Sequence, residues 1–168
     1  MTLARRTANL LGLLAVVGLM AVALFFQYVV KLNPCNMCML QRAATILLGL
    51  VFLIAAAHDA GRWVARCYAV LILVAAAALV ALAGRHVWMQ MQPLGSLSSC
   101  GADFWTMLDL FPVKEVVMRI INGGGDCQEI GWSLFGISIP GWLGLAASGL
   151  GLGGFWANWS LRRSRGRP

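Results

Sequence analysis

The chain is short of charge: Asp, Glu, Lys and Arg make up 11% of its 168 residues, against about 25% for an ordinary soluble domain. Hydrophobic residues make up 60% and the mean hydropathy is +0.79, so a water-soluble monomer is excluded. No polar low-complexity tract is present, and a chain this apolar has ample surface to offset its conformational entropy, which excludes disorder. Also lacking are a glycine-rich phosphate loop, a paired-carboxylate site and a Ser-His-Asp arrangement. Acidic residues are scarce, 6 against 13 basic ones, for a formal net charge of +7. Nucleic-acid binding needs such bases on one soluble face, whereas here they fall in short clusters between apolar runs. What remains is a small all-α integral membrane protein of a single domain.

Crossing the hydrocarbon core takes roughly 20 apolar residues, and four runs qualify, at about 10–30, 39–57, 68–84 and 139–159. The first ends at Gln27, Tyr28 and Lys31, an interfacial ending. Arg5 and Arg6 before it and Ala21-Val22-Ala23 within it imitate a signal peptide, but the run continues through Phe25, Phe26, Val29 and Val30, beyond an ordinary signal core. It is read as an uncleaved anchor. The second run carries Gln41 and Arg42 at one end, costly in lipid unless that end meets an interface or a functional site. The fourth has small residues at Gly144, Ala147, Gly151 and Gly154, a spacing that lets helices approach closely.

Four spans put both termini on one side. That side holds Arg5, Arg6, Arg62, Arg66, Arg162, Arg163, Arg165 and Arg167 against Asp59 alone, and is therefore cytoplasmic. The loops at about 31–38 and 85–138 then face the opposite compartment. In the long loop, Pro112 opens a helical pattern with Val113, Val116, Val117, Ile120 and Ile121 on one face. Gly123-Gly124-Gly125 ends it. This short amphipathic helix either lies on the membrane surface and packs over the bundle, or positions the loop cysteines. His58 and Asp59 read as a solvated turn, and Trp88, Trp105, Trp132, Trp142, Trp156 and Trp159 as interfacial belt residues.

Topology sorts the five cysteines: Cys35, Cys38, Cys100 and Cys127 fall on the external side, while Cys67 is left at the cytoplasmic end of the third span as an inert core residue. Cys35-Asn36-Met37-Cys38 is a Cys-x-x-Cys motif, a spacing suited to an exchangeable disulfide. Asn33 as cap and Pro34 as first residue would place both cysteines in the first turn of the second membrane helix, where the macrodipole favours thiolate. Arg42, four residues on, adds a positive charge on the same face. Structural staples remain an alternative. Zinc on the four cysteines is disfavoured, since Cys100 and Cys127 are far apart in sequence with no histidine nearby, and no metal is expected. Exchangeable pairs on one membrane face suggest an electron relay to an acceptor held by the bilayer, most simply a quinone. His86, beside Arg85 just past the third span, is either a generic interfacial histidine or a contact for the quinone head group.

Pro34-Cys35-x-x-Cys38 with Gln41-Arg42, Arg85-His86 leading to Gln92-Pro93, Cys100, and Gly125-Asp126-Cys127 with Trp132, Gly136 and Pro140-x-Trp142 resemble the disulfide bond formation protein B family. The resemblance covers most of the chain and implies a quinone-linked thiol oxidase of the bacterial inner membrane, with its loops in the periplasm. It implies a Cys100–Cys127 disulfide that takes electrons from a DsbA-like thioredoxin-fold partner through Cys100, and passage of those electrons to Cys35 and Cys38. By the same resemblance Cys127 engages Cys35 transiently, Cys38 is freed beside ubiquinone or menaquinone, and Arg42 and His86 contact the quinone. The Asn36-Met37 dipeptide and Leu40-Gln41 depart from the best-known members, which leaves the potential of the first pair open. The vitamin K epoxide reductase family performs similar chemistry but carries its Cys-x-x-Cys at a late span, whereas this one opens the second. The competing class is a non-enzymatic membrane scaffold whose loops are held by structural disulfides and whose amphipathic helix binds a partner protein.

Overall fold

The computed structural model describes residues 5–93, 103–122, 127–128 and 130–161. Cys100, Gly123-Gly124-Gly125 and the C-terminal arginines from Arg162 on lie outside the described residues. Among the described residues the chain forms α1 (Arg5–Tyr28), α2 (Asn36–His58), α3 (Arg62–Gln90), α4 (Phe104–Leu110), α5 (Val113–Asn122) and α6 (Ile139–Ser160). A two-residue hairpin, β1 (Ser133–Leu134) with β2 (Ile137–Ser138), leads into α6. Helices α1, α2 and α3 are long and apolar enough to cross a membrane by length and composition. Helix α6 is also uncharged.

The four long helices close a ring in which α1 packs on α2, α2 on α3, α3 on α6 and α6 on α1. The most extensive contact, α3 with α6, follows from the small-residue ladder. A Cβ added at Gly151 would stand 2.6 Å from Ala76 Cβ, and one at Gly144 would stand 3.3 Å from Ala83 Cβ. Gly12 lets Phe52 of α2 lie against α1 in the same way. The core between the helices consists of Val16, Leu48, Phe52, Ile72, Ala76, Leu79 and Ala147. Large apolar side chains such as Leu14, Val17, Leu47, Leu71, Val74 and Leu152 point outward and are exposed, an arrangement suited to lipid and costly in water.

Several sequence expectations are corrected. Helix α3 runs 29 residues to Gln90, about 43 Å at helical rise against about 30 Å of hydrocarbon, and so extends beyond the apolar run at about 68–84 at both ends. Near its end Arg85 Nε donates to the Ile121 carbonyl of α5 at 3.2 Å, and its guanidinium lies 4.2 Å from the ring centre of Trp88, one turn on in the same helix. Helix α2 begins at Asn36, with Cys35 rather than Asn33 at the cap position. Cys67 is exposed on the outer face of α3, because Ala65, Ala69, Ile72 and Ala76 take the inner face at helical spacing. Asp59 is not a solvated turn residue. It caps α2 in a left-handed conformation and pairs at 3.5 Å with Arg5, which is buried and also donates to the Ala60 carbonyl.

Nearby, the side chains of Asn9 and Asn158 exchange hydrogen bonds at 3.1 and 2.7 Å, tying α1 to α6. Helix α5 forms as its periodicity predicts, but only Val116 and Ile120 of its apolar face are fully buried. They pack beneath the loop in a second cluster with Met37, Met89, Met107 and Cys127.

Candidate functional site

Cys35 occupies the cap of α2 with φ −71° and ψ 167°, and its carbonyl accepts from the Met39 amide. A side chain at this position faces the third helical residue, here Cys38, and the two Sγ atoms stand 3.2 Å apart. That separation exceeds the length of a disulfide bond of about 2.05 Å, so the pair is a dithiol. Cys38 therefore sits in the first turn, as the sequence predicts, although the helix begins two residues later than expected.

The extension of α3 carries His86 inward. It is buried, and its Nε2 lies 3.7 Å from Cys35 Sγ. Cys127, 2% exposed, approaches from the loop after α5, so that Cys35 Sγ, a His86 ring nitrogen and Cys127 Sγ all fall within 4.8 Å of one another. Hydrogen bonding with Cys127 and then with Cys38, reinforced by burial, pushes the Cys35 thiol well above the usual thiol range. His86 Nδ1 is buried and has no hydrogen-bond partner among the described residues.

Arg42 does not simply stand over the sulfurs. Its guanidinium donates to the Gln27 side chain and, at 3.1 Å, to the Ala23 carbonyl, while its charge stays within electrostatic reach of Cys38. Gln27 is thus a site residue that the sequence marked only as an interfacial ending. The signal was its place as the one amide in an otherwise apolar run. Gln41, 4% exposed, donates to the Leu82 carbonyl at 3.3 Å and ties α2 to α3 just below the site. Gln128, next to Cys127, donates to the Pro93 carbonyl at 2.7 Å and secures the returning loop; nothing in the sequence pattern had singled it out.

The structure brings together Cys35, Cys38, His86 and Cys127, with Arg42 on the neighbouring face of α2 toward α1. Cys100 lies outside the described residues. The arrangement allows thiol–disulfide exchange in either of two directions from Cys35, toward Cys38 in its own helix or toward Cys127 from the loop.

Comparison with known proteins agrees with this geometry. Residues 5–157 match the family model described as Disulfide bond formation protein DsbB. The chain is similar to Disulfide bond formation protein B of Methylobacillus flagellatus, 41% identical over 149 residues that cover 89% of this chain and 90% of that protein. It is equally similar to the protein of that name from Hahella chejuensis, 41% identical over 163 residues covering 97% and 98%. The Nitrosococcus oceani protein of the same name is 38% identical over 156 residues covering 93% and 92%. With a dithiol at the head of a membrane-length helix, a third cysteine folded against it and this likeness along nearly its whole length, the chain belongs to the disulfide bond formation protein B family of membrane oxidoreductases.

Proposed function

We propose that this protein is a thiol:quinone oxidoreductase that reoxidises a DsbA-like periplasmic thioredoxin-fold protein and delivers the electrons to ubiquinone, or to menaquinone. The observation that carries this reading is the placement of Cys127 Sγ within 4.8 Å of Cys35 Sγ, which itself stands 3.2 Å from Cys38 Sγ. One sulfur is thereby poised between two partners, as a relay requires.

The exchange steps balance as follows. In the oxidised enzyme Cys100 is bonded to Cys127 and Cys35 to Cys38. A partner thiolate attacks Cys100, and Cys127 leaves as thiolate. Cys127 attacks Cys35, the Cys35–Cys38 bond breaks, and Cys38 carries the released electron pair. The partner's second thiolate resolves the mixed disulfide and frees Cys100, which attacks Cys127 and releases Cys35. The loop disulfide is then restored, and the two electrons reside on the Cys35/Cys38 dithiol. A bound quinone supplies the acceptor for two electrons and two protons.

The residues present fit such a group. A quinone offers carbonyl acceptors, His86 Nδ1 is a buried ring nitrogen lacking a partner among the described residues, and Arg42 is half-buried beside the dithiol with its guanidinium braced by Gln27. His86 and Arg42 are the residues we assign to hold it. The chain is read as one membrane domain of four spans, α6 being the fourth. The arginine-rich ends and the α2–α3 turn lie in the cytoplasm of a bacterial inner membrane, and both cysteine-bearing loops face the periplasm.

The test is quinone reduction by the purified protein in detergent, driven by a reduced thioredoxin-fold dithiol protein. Wild type is expected to turn over and Cys38→Ser to show none. Absence of turnover in the wild type, with intact disulfides that do not exchange, would favour the scaffold class instead.

A further inference from the structure

The sequence offers no histidine near the cysteines, yet folding supplies one. Cys35, His86 and Cys127 come from the cap of α2, the last turns of α3 and the loop after α5, and their ligand atoms converge within 4.8 Å. Zinc binds sulfur at about 2.3 Å and imidazole nitrogen at about 2.0–2.1 Å, so tetrahedral geometry sets S···N near 3.6 Å and S···S near 3.8 Å. Cys35 Sγ and His86 Nε2 already stand 3.7 Å apart. The remaining separations need at most about 1.2 Å of closure to reach those values. Cys38 is not part of this group of three, although its Sγ is 3.2 Å from that of Cys35.

We propose that the reduced site binds one thiophilic divalent cation of the Zn2+ class through Cys35 Sγ, His86 Nε2 and Cys127 Sγ, with the fourth position left to water. Binding replaces two thiol protons by the metal: the dication enters, two protons leave, and neutral imidazole completes the set. Two thiolates neutralise the ion, which makes the buried site electrically balanced. No electron is transferred, so no oxidant is needed. When Cys35 is bonded to Cys38, or Cys127 to Cys100, a thiolate is missing, and the site exists only when both pairs are reduced. The consequence rests on the relay proposed above: none of its steps frees Cys35 and Cys127 together, so the ion captures only enzyme reduced at both pairs and keeps those two sulfurs from exchange until it leaves.

The probe is Co2+, titrated anaerobically into the purified full-length protein in detergent after reduction with a phosphine. Expected are one equivalent bound, a thiolate-to-cobalt charge-transfer band, and tetrahedral d–d bands that Zn2+ abolishes by displacement. Cys127→Ser and His86→Ala should each weaken binding by more than about tenfold, whereas Cys38→Ser and Cys67→Ala should keep wild-type affinity. Oxidised wild type serves as the arm without mutation and should show no band. The proposal is overturned if reduced wild type gives no band, if His86→Ala or Cys127→Ser binds as wild type does, or if folded Cys38→Ser loses the ion. Binding and quinone reduction fail separately: cobalt bound without turnover removes the relay and keeps the site, and turnover without cobalt does the reverse.

Discussion

The molecule has two interiors of opposite character. Between the long helices the packing is built on glycine and alanine, with Gly151 against Ala76 and Gly12 and Gly154 against Phe52, so that the helices touch closely. At the cysteine end the interior is built on sulfur, with Met37, Met89, Met107 and Cys127 under α5. Close helix contact through small residues leaves no room for adjustment. Methionine is unbranched and polarizable and fills a space that changes shape. The difference matches the demands of the relay we propose: the first region holds the ring of helices, and the second would let Cys127 exchange partners without repacking the bundle.

The largest effect on stability is expected where the two helices are closest. Gly151→Leu drives a side chain into Ala76, which cannot yield, and should cost about 1–3 kcal/mol or more, read as a lowered unfolding midpoint in detergent. Next comes Asn158→Ala, which breaks the exchange with Asn9 and leaves a buried amide between α1 and α6. The expected loss is about 0.6–1.7 kcal/mol, the span for hydrogen bonds between membrane helices, and Asn9→Ala in the same background should add little further. In the sulfur-lined region, Met89→Leu should cost less than about 1.5 kcal/mol, because the volume is kept. If chemical denaturation finds Met89→Leu as damaging as Gly151→Leu, the contrast between the two interiors is wrong. Smallest of all is Cys67→Ser on the outer face of α3, expected within about 0.5 kcal/mol of wild type and with unchanged thiol exchange.

Much of this was written in the sequence in local form. The apolar runs, the ladder of Gly144, Gly151 and Gly154 and the amphipathic pattern of α5 depend on periodicity within one segment, and each appears in the fold. The Cys-x-x-Cys spacing likewise fixes the relation of Cys35 to Cys38, since it pairs the cap with the third helical residue. What local pattern does not carry is the length of a helix whose end is stabilised by another segment. Arg85 and His86 follow the third apolar run in the sequence, yet both lie inside α3, where Arg85 donates to the Ile121 carbonyl of α5 and His86 stands beside Cys35. Arg42 finds Gln27 across the turn between α1 and α2, and Arg5 finds Asp59 at the far end of α2, contacts between helices that the periodicity of one helix does not carry. Cys67 was misplaced for a simpler reason: an apolar residue in a membrane helix is as well placed facing lipid as facing the core.

The central claim is that Cys35 can pair with Cys127 as well as with Cys38, and it is tested by removing the competitors of that bond. In the Cys38→Ser, Cys100→Ser double variant only Cys35, Cys67 and Cys127 remain. Mild oxidation in detergent followed by peptide mapping should find a Cys35–Cys127 disulfide and a Cys67 thiol. Cys35 and Cys127 both remaining thiols, or either joined to Cys67, would contradict the account.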